Sequence, residues 1–149
     1  MTIRYASQAD RAFWKSLDGH LPEEAYDRKI AAKQAYILEE AGEGLAVLRF
    51  GLFWDTIPFC NLLYVAEGRR GRGLGRALAA HWEREMGEKG FGLLMTSTQA
   101  DEEGQHFWRK LGYRDCGGFL LPFPGYEQPL ELILAKPLWT GAKGEIPLW

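Results

Sequence analysis

The amino-acid sequence predicts an α/β protein built on a mixed β-sheet with helices on both faces. Short apolar runs typical of strands alternate with amphipathic helical stretches, and strands met by crossover helices favour a mixed sheet. The 149 residues, 46% of them hydrophobic, are enough to bury a core without disulfides or metals. Because no repeat, low-complexity tract or linker interrupts the series, we expect a single domain over residues 1–149.

The N-terminal part of the chain predicts a strand near 2–5 and helices near 8–18 and 22–33. Ser7 and Asp10 have the spacing of a helix cap, and Pro22 suits the first turn of the second helix. The remaining predicted elements are strands near 34–39, 44–53 and 58–65, a helix near 74–88, a strand near 91–97, a helix near 102–111, and strands near 113–121 and 129–136.

The residues between the fourth strand and the third helix have the composition of an anion-binding loop. Gly71, Gly73 and Gly75 alternate with larger residues, which lets the backbone approach a ligand closely. The N–H groups in the first turn of the following helix would point at an anion. Positive charge suited to a pyrophosphate comes from Arg69, Arg70, Arg72 and Arg76. A solvated turn that binds nothing is the structural alternative.

The spacing of the glycines separates this loop from two other phosphate-binding loops. A dinucleotide-binding loop read from Gly71 requires glycine at position 76, where the chain has Arg76. A Walker loop would require Lys and then Ser or Thr at the positions of Leu74 and Gly75. The loop instead resembles the pyrophosphate loop of GNAT-superfamily N-acetyltransferases, which reads Arg or Gln, two residues, Gly, one residue, then Gly or Ala. The positions that fill this pattern are Arg70, Gly73 and Gly75.

A second stretch, residues 106–113 (HFWRKLGY), resembles the other GNAT signature, an aromatic pair followed by three residues, a glycine and an aromatic residue. Gly112 is expected to end a helix that carries Phe107 and Trp108 on one face. The chain departs from the family at two positions. Trp108 stands where many members have a tyrosine whose hydroxyl can protonate the leaving thiolate, and Asp101 stands where an asparagine near the pantetheine arm is common.

The resemblance implies a GNAT fold, in which a central mixed sheet of about seven strands splays between strands 4 and 5 and acetyl-CoA lies in the gap. Main-chain groups of Leu63 and Val65 would hold the pantetheine arm, and the N–H groups of residues 70–76 would hold the pyrophosphate. The positions that the resemblance assigns to the cofactor are Leu63, Tyr64, Val65, Arg70, Gly71, Arg72, Gly73, Leu74, Gly75, Arg76, Asp101, Phe107 and Trp108.

The chemistry that the resemblance implies is direct attack of a primary amine on acetyl-CoA in a ternary complex. Some family members carry a general-base glutamate at the position of Phe59, so another group must take the amine proton here. The candidate catalytic residues are Asp55 and Asn61. Asp55 also fits a turn former, and Asn61 fits a structural hydrogen bond as well as a substrate or water contact.

The composition of the chain indicates which binding partners and which cellular location are expected. The formal net charge of −2 gives no global attraction to nucleic acid or membrane, and no segment has the pattern of a signal peptide or membrane span. Cys60 and Cys116 have no partner at metal-ligand spacing and are expected to be reduced thiols. We therefore expect a cytoplasmic protein with no metal, no nucleic-acid partner and no membrane contact. The sequence is compatible with a homodimer.

More than one function is compatible with the sequence. The favoured interpretation is an acetyl-CoA-dependent N-acetyltransferase acting on a primary amine of a small molecule, with a peptide amine as the other acceptor class. Trp108 and Phe59, which replace the usual tyrosine and glutamate, favour an alternative. In that alternative, the chain is a GNAT-fold protein that binds acetyl-CoA or CoA as a sensor or partner-binding module. A nucleic-acid-binding module that uses residues 69–76 is the third interpretation.

Overall fold

The computed structural model of the protein describes residues 1–138. Within this range the strands are β1 (Thr2–Tyr5), β2 (Ala35–Glu40), β3 (Glu43–Phe53), β4 (Ile57–Val65), β5 (Leu93–Gln99), β6 (Arg114–Phe119) and β7 (Glu131–Pro137). The helices are α1 (Arg11–Leu17), α2 (Glu23–Ala31), α3 (Leu74–Glu88) and α4 (Gly104–Lys110), with a short 3-10 turn at Gln8–Asp10. The predicted α/β class and the order of the elements are confirmed, while residues 139–149 of the predicted domain lie outside the described range.

The seven strands form one mixed sheet in the order β1-β2-β3-β4-β5-β7-β6. Antiparallel pairing joins β1 to β2, β2 to β3, β5 to β7 and β6 to β7. β4 and β5 are parallel, and they pair Phe59 with Met95 and Cys60 with Thr96. The predicted mixed sheet is therefore confirmed, and its parallel pair lies at strands 4 and 5, where the GNAT resemblance implies the splay.

The chain divides into two compact units, of which the first comprises Met1–Gly51 and Asn61–Glu85. Helices α1 and α2 bury apolar side chains against one face of β2 and β3. The cluster formed there contains Ala6, Trp14, Tyr26, Ala35, Ile37 and Val47. On the opposite face, Tyr36 stacks on Phe50 and Phe50 contacts Trp82 of α3, with ring centroids 6.0 and 5.8 Å apart. Helices therefore cover both faces of the strands in this unit, as the sequence predicts.

Asp10 connects β1 to the helical segment that follows it. Its carboxylate accepts hydrogen bonds from the Ser7 N–H at 2.7 Å and from two nitrogens of Arg4 at 2.8 and 2.9 Å. The predicted pairing of Ser7 with Asp10 is confirmed. Pro22 is the N-cap residue of α2, one position before its first helical residue.

Within the described range, the second unit comprises Leu52–Cys60 and residues 86–138. Leu94, Thr96 and Thr98 are buried and alternate along β5 with partly exposed residues, so one face of this strand is covered. β6 lies at the edge of the sheet, and all of its residues are exposed.

The glycine predicted to terminate helix α4 follows its C-cap residue, Leu111. Gly112 has a φ of 97°, a left-handed conformation that favours glycine. Its N–H donates to the Arg109 carbonyl at 3.0 Å, and the Tyr113 N–H donates to the Trp108 carbonyl at 3.1 Å. This pair of hydrogen bonds is a Schellman cap, which turns the chain from the helix into β6.

Candidate active site

The loop between β4 and α3 is an open cradle of backbone. Gly71 and Gly73 have φ values of 81° and 77°, and a Cβ atom at either position would meet no atom within 4 Å. The Gly73 carbonyl accepts a hydrogen bond from the Ala77 N–H at 3.0 Å, which places Gly73 immediately before the first turn of α3. An anion that approaches the first turn of this helix would therefore meet no side chain at these two glycines.

Two of the four arginines of the loop are paired with carboxylates. Arg69 Nη2 lies 2.9 Å from Glu43 Oε1, and Arg72 Nη2 lies 2.9 Å from Glu40 Oε2. The hydrogen bond from Arg72 lowers the pKa of Glu40. Because all four side chains are exposed, each pair adds little to stability, but it provides a local counter-charge for the arginine.

Arg70 and Arg76 differ from these two arginines. The Arg70 guanidinium lies over the Tyr64 ring, 5.0 Å from its centroid, and its Nε donates to the Val65 carbonyl at 3.2 Å. Neither Arg70 nor Arg76 is ion-paired with a carboxylate among residues 1–138. The loop thus carries two cations whose charge is available to a ligand.

The last residues of β4 extend past its pairing with β5. The parallel ladder includes Phe59 and Cys60, and residues 61–65 have no β5 partner in the part of the chain that the structure describes. Leu63 and Val65 belong to this stretch. Their predicted main-chain contacts with a pantetheine arm are compatible with this end of the ladder and stay a prediction.

The aromatic pair lies on α4, in the second unit. Trp108 is 5% exposed, and its ring meets Phe107 and Tyr113 nearly at right angles, with centroids 5.1 and 4.9 Å away. Asp101 is exposed in the turn after β5. The assignment of Asp101, Phe107 and Trp108 to the cofactor stays a prediction.

Asp55 lies in the turn that joins β3 to β4. Asp55 has a φ of 60°, and Trp54, which precedes it, has a φ of 54°. Two consecutive residues in the left-handed region form a tight hairpin turn, and Asp tolerates that conformation better than most residues. The geometry therefore accounts for Asp55 as a turn former, and its catalytic role stays a prediction.

Asn61 is exposed on β4, and its side chain makes no hydrogen bond with any residue from 1 to 138. Its Nδ2 lies 3.4 Å from the point that a Cβ atom of Gly51 would occupy. The alternative in which Asn61 makes a structural hydrogen bond has no partner in this range. A contact of Asn61 with substrate or water stays a prediction.

Among residues 1–138, no three His, Cys, Asp or Glu side chains are grouped so that they could hold a metal ion. No helix in the same range combines the length and apolar composition needed to cross a membrane.

The fold and the loop together define an α/β protein with a glycine-rich turn between its fourth strand and third helix. Residues 31–115, more than half of the chain, match the profile of the Acetyltransferase (GNAT) domain. The chain therefore belongs to the GNAT family of N-acetyltransferases. A search of curated protein sequences finds no match.

Solved structures support the same fold. The ribosomal-protein-alanine N-acetyltransferase of Brucella melitensis aligns with a TM-score of 0.76 and 19% identity over 92% of this chain and 99% of that one. Arabidopsis thaliana Naa50, in complex with the bisubstrate analogue CoA-Ac-MVNAL, aligns with a TM-score of 0.75 and 16% identity over 91% and 97%. N-acetylglutamate synthase of Neisseria gonorrhoeae, complexed with coenzyme A and N-acetyl-glutamate, gives 0.76 and 18% over 93% of this chain and 35% of that one. At these identities the likeness establishes the fold alone.

Proposed function

We propose that this protein transfers the acetyl group of acetyl-CoA to a primary amine by direct attack in a ternary complex. The observation that carries the proposal is the cradle at Gly71 and Gly73, which opens onto the first turn of α3. Arg70 and Arg76 lie in the same segment and have no carboxylate partner among residues 1–138. The coenzyme A portion of the ligands in the Arabidopsis and Neisseria structures supports this choice of donor.

The residues present fit a coenzyme A ligand. The N–H groups of residues 70–76 would hold the pyrophosphate, and the main chain of Leu63 and Val65 would hold the pantetheine arm. Phe107 and Trp108 would line the thioester end. Acetyl-CoA, when bound, supplies an acetyl thioester that is activated toward amines.

The acceptor nitrogen must be neutral when it attacks the acetyl carbon, and the carbon–sulfur bond then breaks. Phe59 provides no carboxylate for the deprotonation. The Trp108 indole is a hydrogen-bond donor that does not release its proton, so it cannot act as the general acid. The departing thiolate has an ordinary pKa of about 8.5 and can take its proton from water or from the attacking amine. We therefore assign Trp108 to packing and exclusion of water.

We further propose a small-molecule acceptor and a cytoplasmic location. Phe59 and Trp108, which lack the usual acid–base groups, favour one second candidate: a module that binds acetyl-CoA or CoA without turnover. Release of free CoA distinguishes the two functions, because only the enzyme cleaves the thioester.

Calorimetric titration with acetyl-CoA, followed by an amine panel monitored by free thiol, tests the proposal. Gly73→Val is expected to abolish acetyl-CoA binding, because a branched side chain would occupy the open cradle. Gly90→Val is the matched control, since Gly90 also has a positive φ, of 91°, and open space at its Cβ position.

A folded Gly73→Val protein with unchanged affinity would refute the loop assignment. If acetyl-CoA binds but no amine in the panel causes release of CoA, the result would favour the second candidate, a module that binds acetyl-CoA or CoA without turnover.

A further inference from the structure

The turn between β3 and β4 carries an aromatic residue at a position that suits other residue types. The Thr56 N–H donates to the Phe53 carbonyl at 3.1 Å and closes the turn, and Trp54 is the first residue inside it, with a φ of 54°. Asn, Asp and Gly tolerate this left-handed position in a tight hairpin, whereas a bulky side chain there is an outlier. Trp54 is also 64% exposed. Its presence is therefore explained neither by the turn nor by burial in the core.

Trp54 belongs to a row of three aromatic rings in the second compact unit. Its ring centroid lies 4.7 Å from that of Phe53, and the Phe53 centroid lies 6.1 Å from that of Phe59 on β4. Phe53 is 37% exposed, and Phe59 is partly exposed. We call these three residues the aromatic row. They form a continuous apolar surface that solvent reaches, and clustered exposed rings of this kind are typical of binding surfaces.

One end of the aromatic row lies where β4 and β5 part. Phe59 pairs with Met95, and Cys60, the next residue, makes the last described pair with β5. Coenzyme A bound as proposed above has its pyrophosphate beyond the end of β4 and its pantetheine arm along residues 63–65. The arm therefore runs back toward the start of β4. Its thioester end would lie near the last pair of the parallel ladder.

An acceptor amine can reach this point from the face of β4 that carries Phe59. Side chains alternate between the two faces of a strand, so Phe59 and Asn61 share one face and Cys60 points to the other. Cys60 is 2% exposed, whereas Asn61 is exposed and Phe59 partly so. The accessible face of β4 at this point is therefore the one from which the aromatic row extends.

We propose that the aromatic row binds an apolar group of the acceptor, so that the acceptor is a primary amine with an aryl or branched alkyl substituent. The proposal rests on the function proposed above. With the amine nitrogen near the last pair of the ladder, the substituent would extend over Phe59 and Phe53 toward Trp54. The three rings offer apolar contact and stacking, which favour such a substituent over a polar one.

The test compares 2-phenylethylamine and 3-methylbutylamine with ethanolamine and 1,4-diaminobutane, and kcat/KM is measured by CoA release. The wild type is expected to prefer the two apolar amines ten- to hundredfold, the effect of burying one apolar group of this size. Trp54→Asn should remove most of this preference without changing the Kd for acetyl-CoA. Because asparagine suits the left-handed position, the thermal stability of Trp54→Asn should equal or exceed that of the wild type.

Ala41→Asn is the matched control. Ala41 is the first residue of the turn between β2 and β3, and it also has a left-handed φ, of 52°. This exchange makes the same change to a turn without removing a ring, so the preference among amines should not change. Phe53→Ser removes a second ring of the row and should reduce the preference as Trp54→Asn does.

Equal kcat/KM values for the apolar and polar amines in the wild type would overturn the proposal. A preference that survives in both Trp54→Asn and Phe53→Ser would also overturn it. Sedimentation of the wild type as a dimer and of Trp54→Asn as a monomer is a third contrary result, because a second copy of the chain would then cover the row.

Failure of the proposed function gives a different result. In that case no amine of either kind releases CoA, and saturation-transfer NMR of 2-phenylethylamine with the protein decides about the aromatic row. A signal that is lost in Trp54→Asn and kept in Ala41→Asn supports binding at the row. Absence of a signal with the wild type overturns it.

Discussion

Arg70 and Arg72 lie two residues apart in one loop but have different partners. Arg72 is paired with Glu40, whereas Arg70 packs on the Tyr64 ring and has no carboxylate partner among residues 1–138. A ligand phosphate must compete with Glu40 for Arg72 but with no carboxylate for Arg70. We therefore expect Arg70 to be the stronger source of charge for a bound pyrophosphate.

We expect Arg70→Ala to weaken acetyl-CoA binding ten- to hundredfold and Arg72→Ala to weaken it less than tenfold. Isothermal titration calorimetry of both variants measures the difference. Arg69→Ala is the control, because Arg69 is held by Glu43 and precedes the motif. A loss in Arg72→Ala or Arg69→Ala as large as that in Arg70→Ala would contradict this ranking.

The partners of these residues could not be predicted from the sequence. Arg72 and Glu40 are 32 residues apart, so no local pattern links them. Lys29 carries one local signal, its place on the apolar face between Tyr26 and Ile30. A lysine at such a position ordinarily extends its ammonium into solvent. The structure shows instead that the Lys29 ammonium donates to the Phe50 carbonyl.

Individual elements were most predictable where their ends are marked by glycine. The predicted helix 74–88 coincides with α3, and Gly112 caps α4, whose last helical residue is Lys110. The sequence predicts a strand to residue 121, but β6 ends at Phe119. Leu120 and Leu121 are apolar and extend the strand-like composition, yet they are exposed, and composition alone does not report burial.

The link between β1 and the first helical segment depends on Asp10. The hydrogen bond from Arg4 lowers the pKa of Asp10, and bonds from Ser7 lower it further. A carboxylate with a lowered folded-state pKa stabilises the protein above its unfolded pKa of about 3.9. This stabilisation is lost as the pH falls through the folded-state pKa.

Asp10→Asn should therefore reduce the free energy of unfolding by about 1 kcal/mol at pH 7, and the difference should shrink below about pH 4. Urea denaturation of the wild type and variant at pH 7 and pH 3 checks both statements. Asp27→Asn removes a more exposed ion-pair partner of Arg11 and should have little effect. If Asp10→Asn lowers the free energy of unfolding by the same amount at pH 7 and pH 3, the result would count against a stabilising role for the ionised Asp10 carboxylate.

At the scale of the whole molecule, local patterns predict the strands but not their order. The GNAT resemblance implies a splay between strands 4 and 5, and the parallel pair of the sheet lies at these two strands. The position of β7 between β5 and β6 is not evident from periodicity, because a strand pattern does not specify its neighbour. The identity of the acceptor cannot be predicted from the sequence either, because its expected contacts come from several separate segments.

The two compact units share one continuous strand. Residues 57–60 of β4 belong to the second unit and residues 61–65 to the first. Because neither unit can lose its part of β4 without disturbing the other, we expect one cooperative unfolding transition, in accord with the single domain predicted over 1–149. Differential scanning calorimetry should give equal calorimetric and van't Hoff enthalpies, of about 100 kcal/mol for this length. Two resolved transitions would contradict the prediction.

Arg70 is tied to the strand that precedes its loop, because its Nε donates to the Val65 carbonyl. The same carbonyl belongs to the stretch expected to bind the pantetheine amides. An amide N–H that takes this oxygen would free the guanidinium to turn toward the pyrophosphate. Separate fragments of the ligand would then bind with positive cooperativity: pantetheine would raise the affinity for the nucleotide portion, and the nucleotide portion would raise the affinity for pantetheine by the same factor.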